Sequence, residues 1–178
     1  MLVTFCGHKD VANAAEVKEK LEAVIASLIE EGATEFYLGG YGSFDSMAAK
    51  TVREMKKTHP EVQGVLVIPY MDRDYNKDLY DGSVYPPIEN APLRFAISKR
   101  NEWMVDQADV IVAYVTHDWG GANTTMEYAK RKKKRIISVV PEQKHKPRVR
   151  NGTRLSYASN VTKSLLFTKP AKNFFQPP

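Results

Sequence analysis

The feature that most constrains the fold is an apolar, β-branched run at residues 108–115 that leads towards a pair of glycines. Gly120 and Gly121 form this pair, and the chain then continues with helical spacing. Glycine has no Cβ, and a helix N-terminus carries partial positive charge, so the backbone N–H groups of such a turn can approach an anion. The pattern predicts a strand, a glycine turn and a helix that together bind a phosphate-bearing ligand.

The same alternation of strand and helix extends over most of the chain. Strands are predicted at residues 2–6, 35–38, 65–68, 110–113 and 136–140. Helices are predicted between residues 13 and 32, up to about residue 58, at 93–107 and at 124–133. Such alternation favours a parallel sheet with right-handed crossovers, which binds ligands at the carboxyl ends of its strands. We therefore predict an α/β, Rossmann-like three-layer fold with a mostly parallel sheet of about five strands.

Two further glycine turns follow predicted strands. Gly7 and His8 come directly after the first strand, and Gly39 and Gly40 come directly after the second. We expect both turns to converge with the Gly120 turn at one sheet edge. His8 is better placed than the other histidines to face a central site, although a lone loop histidine is equally compatible with a structural hydrogen bond.

The segment after Gly40 contains two polar candidates for ligand contact. Ser43 or Asp45 could hydrogen-bond a sugar, and the alternative is a tight turn in which Ser43 caps the next helix. An alternative also exists for the third turn, because Thr124 and Glu127 have the spacing of a capping box, as do Asn13 and Glu16. Capping alone does not require the preceding glycine pair, so a ligand role is favoured there.

The segment from residue 100 to residue 127 resembles the SLOG superfamily, which joins the Lonely Guy nucleotide phosphoribohydrolases with the DNA-processing protein DprA and nucleotide-signal sensors. The matching positions are Arg100, Gly120, Gly121, Thr124 and Glu127. Asn123 replaces a glycine of the Lonely Guy loop but tolerates left-handed backbone. The resemblance implies that Arg100 and Glu127 are catalytic and that the glycine turns, with Asn123 and Thr124, bind the ligand.

Three functions are compatible with this resemblance. The leading hypothesis is binding of a nucleotide or nucleotide-derived signal. The second is N-glycosidic hydrolysis of a nucleoside 5′-monophosphate, in which Arg100 and the glycine amides hold phosphate while Glu127 stabilises the ribosyl centre or activates water. The third is single-stranded nucleic-acid binding of the DprA kind, through the basic run at residues 130–135 and the tail. A solvated helix end is the simpler explanation of that run.

Composition indicates a soluble globular protein, with 43% hydrophobic and 26% charged residues. The net charge of +5 is uneven, because residues 141–178 carry eight basic side chains and one acid. We predict a nucleotide-binding domain at residues 1–140 and a basic extension at residues 141–178, whose apolar residues 165–167 and 174–175 could dock on the body. No signal peptide or membrane span is indicated, so we expect a cytoplasmic location.

Other ligand classes have little support. Cys6 is expected to be a buried core residue, and no His or Cys spacing indicates a metal site, so we predict neither metal nor cofactor. Residues 69–92 lack a clear period and are a candidate lid. The expected partners are a nucleotide or nucleotide-derived small molecule and further copies of the chain, as a homodimer or another homo-oligomer. Nucleic acid is the alternative partner, and no membrane partner is expected.

Overall fold

A computed structural model describes residues 1–142 of the 178-residue chain. These residues form a single parallel sheet of six strands: β1 (Leu2–Gly7), β2 (Glu35–Leu38), β3 (Gln63–Val67), β4 (Gly82–Val84), β5 (Val110–Tyr114) and β6 (Arg135–Ser138). Four helices accompany the sheet: α1 (Ala14–Glu30), α2 (Gly42–Met55), α3 (Ala96–Gln107) and α4 (Gly120–Arg131). The predicted α/β, Rossmann-like class is confirmed.

The strands lie in the order β4-β3-β2-β1-β5-β6, so the direction of travel across the sheet reverses between β1 and β5. Residues 3–7 of β1 pair in parallel with residues 110–114 of β5. The carboxyl ends of these two strands therefore meet at Gly7 and Tyr114. A reversal of this kind opens a crevice at the carboxyl edge, because the loops after the two strands diverge to opposite faces.

Strand β5 shows why the sheet is buried on both faces. Val110, Val112 and Tyr114 pack with α1 and α2, whereas Ile111 and Ala113 pack with residues of α3 and α4. Side chains alternate between faces along a strand, and helices cover both faces of a parallel sheet, so every residue of β5 is apolar and buried. The continuous apolar run in the sequence has this cause.

The sixth strand was missed by the sequence analysis, which predicted about five. Strand β4 covers only three residues within the irregular segment 69–92, and only one of them is apolar. Its position is fixed by pairing with β3 and by Asp81, whose carboxylate accepts a hydrogen bond from the Gly64 N–H at 2.8 Å. A strand this short, held by tertiary contacts, has no period that a sequence pattern could reveal.

The predicted helix caps were partly wrong. Asn13 does precede α1, but it has a left-handed backbone with φ of 52° and its side chain makes no capping bond, so the capping box with Glu16 does not form. Tyr41 rather than Ser43 precedes α2, and Ser43 lies inside the helix. Trp119 precedes α4, so Thr124 is not a cap either.

Among the described residues, no helix combines the length and apolarity needed to span a bilayer. The predicted basic extension, with the apolar segments at residues 165–167 and 174–175, lies outside the described residues apart from its first two positions. Its proposed docking and its separation from the domain at residues 1–140 remain predictions.

Candidate functional site

A cavity of about 570 Å³ opens at the carboxyl edge of the sheet, where β1 and β5 diverge. Its walls come from the segments that follow β1, β2 and β5, and from one side of α3. The volume lies within the range of small-molecule sites in proteins. The position is the one that the strand order predicts, so this cavity is the candidate functional site.

The segment after β1 forms the first wall, and two contacts fix it. The His8 N–H donates to the Tyr114 carbonyl at 3.1 Å, which extends the pairing of β1 with β5. The Ala12 N–H donates to the Tyr114 hydroxyl at 3.0 Å. A Cβ at Gly7 would overlap the Phe44 ring, so only glycine lets α2 pack this closely against the end of β1.

The segment after β2 approaches the first wall through Gly42. This residue has a φ of 88°, and a Cβ on it would lie 2.9 Å from the Lys9 Cα. The Ser43 N–H donates to the Lys9 carbonyl at 2.8 Å, and the Ser43 hydroxyl donates to the same oxygen. Ser43 therefore joins the two walls from outside the cavity, and Gly42, which the sequence analysis did not single out, is the glycine that makes this joint possible.

A buried arginine and a nearby half-buried carboxylate lie at the bottom of the cavity. Arg100, on α3, is only 2% exposed, and its Nη1 donates to the Gly39 carbonyl at 2.6 Å and to the Val67 carbonyl at 2.8 Å. The Asp45 carboxylate accepts a hydrogen bond from the Tyr41 N–H at 3.0 Å and attracts the guanidinium. Within residues 1–142, the buried Arg100 Nε–H has no hydrogen-bond partner.

Gly39 lies against both Arg100 and Asp45. A Cβ at Gly39 would lie 2.6 Å from the Arg100 Nη1 and 2.8 Å from an Asp45 carboxylate oxygen. Both distances are shorter than real Cβ contacts allow, so a side chain at position 39 would displace the ends of these two side chains. Gly40 points elsewhere, since it borders a separate cavity of about 160 Å³ near Tyr75 and Tyr80.

Two helix N-termini border the cavity. Gly42 begins α2, and Gly120 and Gly121 begin α4. The residues that precede these helices make no side-chain capping bonds. In α2 the Ser43 N–H already donates to the Lys9 carbonyl, so it is the first N–H groups of α4 that, with the buried guanidinium, favour an anion.

Aromatic rings form the mouth of the cavity on the β5 side. The His8 and His117 rings stack with centroids 3.5 Å apart, and the His117 and Trp119 rings stack with centroids 3.8 Å apart. His8 is 9% exposed, whereas Trp119 is 68% exposed. The sequence predicted that His8 is better placed than His117 to face the site. In the structure the two rings form one stack.

Burial shifts the pKa values of three cavity groups. It raises the pKa of the Asp45 carboxyl to about 6, against the opposing effects of Arg100 and the Tyr41 N–H. It raises the pKa of the Cys6 thiol to about 12, which keeps Cys6 an inert, protonated part of the floor. It lowers the pKa of His8, and the neighbouring His117 lowers it further.

The Asp45 pKa predicts how inorganic sulfate, an anion of constant charge, binds in the cavity. As pH falls through about 6, Asp45 takes up a proton and its repulsion of the anion disappears. We expect sulfate affinity to rise about tenfold from about pH 7.5 to about pH 5, since one pKa unit corresponds to about 1.4 kcal/mol. Isothermal titration calorimetry of wild type and Asp45→Asn measures this change.

Wild type and variant share every other charged group of the cavity, so the difference between the two pH profiles isolates Asp45. The Asn side chain can still accept the Tyr41 N–H bond, which makes it a matched replacement. We expect the variant to bind sulfate more tightly than wild type at neutral pH and equally at low pH. Parallel profiles would show that Asp45 does not face the bound anion.

The structure brings together seven of the twelve predicted site residues. Those that line the cavity are Gly7, His8, Gly39, Asp45, Arg100, Gly120 and Gly121. Those that do not line it are Gly40, Ser43, Asn123, Thr124 and Glu127. The predicted convergence of the three glycine turns at one sheet edge is therefore correct, although in the second turn it is Gly39 and Gly42, not Gly40, that face the cavity.

Asn123, Thr124 and Glu127 lie outside the cavity for one reason. The sequence pattern predicted a helix that starts at Thr124, whereas α4 begins at Gly120. Glu127 therefore lies in the third turn, about 10 Å further along the axis at 1.5 Å per residue. Its side chain is 47% exposed and pairs with Lys130 at 2.7 Å. Asn123 and Thr124 bond to backbone carbonyls of their own segment instead.

Most basic side chains at residues 130–135 form ion pairs or hydrogen bonds with other residues of the fold. Lys130 pairs with Glu127, Lys132 with Asp106 and Arg135 with Glu31. The Lys134 ammonium donates to the carbonyls of Asp106 and Ala108. These contacts support the interpretation of the run as a solvated helix end rather than a nucleic-acid surface.

Several cavity residues had no motif to reveal them. Asn101 lines the cavity one residue after Arg100, and its amide donates to the Thr125 hydroxyl at 3.2 Å. Lys9 and Asp10 lie at the exposed rim. Trp119 lines the cavity directly before the Gly120–Gly121 pair, and no sequence pattern singled it out. Among residues 1–142, no cluster of His, Cys, Asp or Glu is arranged to hold a metal ion.

Solved structures with this architecture include DNA processing protein A from Helicobacter pylori, with a TM-score of 0.58 and 16% identity over 82% of this chain and 67% of that one. The corresponding protein from Streptococcus pneumoniae gives a TM-score of 0.56 and 20% identity over 81% of this chain and about half, 51%, of that one. The chain shares the fold of these two DNA processing proteins. The resemblance inferred from residues 100–127 is thereby confirmed at the level of the fold.

Further similarities extend to other proteins, in structure and in sequence. The molybdenum cofactor carrier protein of Chlamydomonas reinhardtii gives a TM-score of 0.53 and 16% identity over 77% of this chain and 75% of that one. In sequence, the uncharacterized SPbeta prophage-derived protein YoqJ of Bacillus subtilis is 29% identical over 141 residues, covering 65% of this chain and 81% of YoqJ. The UPF0398 protein BH1768 of Halalkalibacterium halodurans is 28% identical over 129 residues, covering 65% of this chain and 68% of that protein. No family model matches the chain.

Proposed function

We propose that the chain binds a nucleotide or nucleotide-derived ligand in the cavity between β1 and β5, with the phosphate beside Arg100 and the N-terminus of α4. The buried, unpartnered Nε–H of Arg100 is the observation that carries this proposal. A buried donor without a partner is costly, and a guanidinium is well suited to bind a phosphate. The uncapped amides that begin at Gly120 would supply further donors to the same anion.

The walls around this donor fit a ligand larger than inorganic phosphate. The cavity of about 570 Å³ extends from Arg100 past Asn101 to the exposed Trp119. It therefore combines a positively charged bottom, polar side chains on its walls and aromatic rings at its mouth. A sugar phosphate with an attached ring contains groups that complement each of these parts.

The test is a thermal-shift comparison of three ligands: a nucleoside 5′-monophosphate, the matching nucleoside and inorganic phosphate. A ligand at about 100 times its Kd adds about 2.7 kcal/mol of stability, which this measurement resolves. We expect the monophosphate to raise the unfolding temperature more than either fragment, because it alone contacts both ends of the cavity. Equal shifts for nucleoside and monophosphate would contradict a phosphate site.

We restrict the proposal to binding, because Glu127 lies outside the cavity. The hydrolysis hypothesis requires this carboxylate near the ribosyl carbon, and Glu127 is instead paired with Lys130 on α4. Release of free base from any common nucleoside monophosphate would revive the enzyme hypothesis. The sequence-based assignment of Glu127 as catalytic remains a prediction.

A second candidate function is binding of single-stranded nucleic acid, because the similar DNA processing protein A from Helicobacter pylori binds single-stranded DNA. Two arginine–aromatic contacts favour it here: Arg73 lies over the Tyr70 ring at 4.1 Å, and Arg94 lies over the Phe95 ring at 4.7 Å. Such pairs can stack with unpaired bases. Affinity for an oligonucleotide that falls steeply with salt would support this function over binding of a mononucleotide.

A further inference from the structure

The aromatic stack at the cavity mouth has an unusual gradient of burial. His8 is almost fully buried at one end, His117 lies between the two other rings, and Trp119 is mostly exposed at the other end. The interplanar angles are 19° between His8 and His117 and 18° between His117 and Trp119, so each ring is nearly parallel to the next. Trp119 thus forms the outer end of an ordered stack that borders the cavity.

The position of Trp119 is held by more than stacking. The Nδ1 of His117 lies 3.1 Å from the Trp119 carbonyl oxygen, which can only accept, so Nδ1 donates a hydrogen bond to it. This bond links the His117 ring to the backbone of Trp119. The indole is therefore preorganised, and a ligand that stacks on it does not have to order it first.

Packing against the hydrophobic core does not explain why Trp119 is exposed. The indole packs on His117 and leaves most of its surface to solvent, although tryptophan is one of the most apolar side chains. At the opposite end, the buried His8 Nε2 has no hydrogen-bond partner among the described residues, and His8 also lines the cavity. An exposed apolar face and an unpartnered polar atom along one stack of cavity-lining rings both favour binding of a ligand beside that stack.

We propose that this stack is the ring-binding subsite of the cavity, in which a purine or pyrimidine base continues the stack on Trp119. The inference rests on the proposed function, because it assigns the base end of the nucleotide whose phosphate lies near Arg100. Trp119 is directly followed by Gly120, so one nucleotide can reach both the indole and the N-terminus of α4. The base belongs to a free nucleotide or to a nucleotide within a single strand.

Calorimetric titration of the full chain tests the subsite with ligands that differ only in the ring. The probes are the four common nucleoside 5′-monophosphates and ribose 5-phosphate, which lacks a base. We expect wild type to bind at least one monophosphate about ten- to a hundredfold more tightly than ribose 5-phosphate, as stacking of one base predicts. Trp119→Ala should remove this preference and leave affinity for ribose 5-phosphate unchanged, whereas Trp119→Phe should retain most of the preference.

The second tryptophan supplies the matched control. Trp103 stacks on Tyr37 at 5.6 Å and does not line the cavity. Trp103→Phe should keep the wild-type preference, and because all tryptophan emission then comes from Trp119, the preferred monophosphate should quench it while ribose 5-phosphate should not. An oligonucleotide that quenches the same emission at lower concentration would identify the single strand as the source of the base.

The outcomes separate the subsite from the phosphate site. Equal affinity of wild type for monophosphates and ribose 5-phosphate, or an equal loss of both in Trp119→Ala, would overturn the ring subsite while leaving the proposed function intact. Binding of the free nucleoside that depends on Trp119, without any binding of ribose 5-phosphate, would support the ring subsite and contradict the phosphate site. Failure of every ligand to bind would overturn both.

Discussion

Gly39→Ala is expected to destabilise the protein by about 1–3 kcal/mol and to abolish ligand binding, because the new methyl group collides with the side chains of both Arg100 and Asp45. The Cβ would lie 2.6 Å from the Arg100 Nη1 and 2.8 Å from an Asp45 oxygen. Neither group can move away without losing its backbone hydrogen bonds. Urea denaturation measures the loss of stability, and titration with a nucleoside monophosphate measures the loss of binding.

Gly82→Ala is the matched control for this experiment. Gly82 lies in the edge strand β4, and a Cβ there meets no atom within 4 Å. We expect its free energy of unfolding to stay within about 0.5 kcal/mol of wild type, as for most surface substitutions. Equal free energies of unfolding for the two alanine variants would show that Arg100 and Asp45 move aside easily for a methyl group at position 39. The bottom of the cavity would then not be rigid.

Arg100→Leu is expected to have the largest effect on stability, about 3–5 kcal/mol, because it leaves the half-buried Asp45 carboxylate without the positive charge that attracts it. It also removes the donor to the carbonyls of Gly39 and Val67. The double variant Arg100→Leu, Asp45→Asn should recover part of this loss, since the uncompensated charge is then gone. A double-mutant cycle based on urea denaturation gives the coupling energy.

Two comparisons define what this result means. Arg53→Leu removes an exposed arginine that also donates to a backbone carbonyl, that of Asp78, and should cost less than about 1 kcal/mol. Arg100→Lys keeps the charge but cannot reproduce the guanidinium geometry, so we expect it to fold and to bind a nucleoside monophosphate at least about tenfold more weakly. An additive cycle would contradict direct coupling between Arg100 and Asp45.

The sequence predicted the central strands and the glycine turns because their causes are local. The run of residues 110–114 is apolar at every position since both faces of β5 are covered, and Gly7 and Gly39 follow their strands directly. The start of α4 could not be located in this way. Glycine and tryptophan are poor markers of a helix start, so the pattern favoured Thr124, four residues late, and carried Glu127 into the predicted site.

Other parts of the site depend on contacts between distant residues. Arg100 was predicted to face the ligand, but its partners Gly39, Asp45 and Val67 belong to separate segments, so its burial could not be inferred from its neighbours in sequence. The stack of His8 on His117 joins residues from the ends of β1 and β5. Only the register of these strands, with Gly7 opposite Tyr114, brings the two rings together.

The missing side-chain cap of α4 sets a limit on how far this protein can be stabilised. Trp119 occupies a position where Ser, Asp or Asn typically adds about 1 kcal/mol to stability. A carboxylate or hydroxyl placed there would bind the same N–H groups that the proposed site offers to an anion. Thermostability gained at this position would therefore come at the expense of affinity, a trade-off between rigidity and ligand recognition at the same amides.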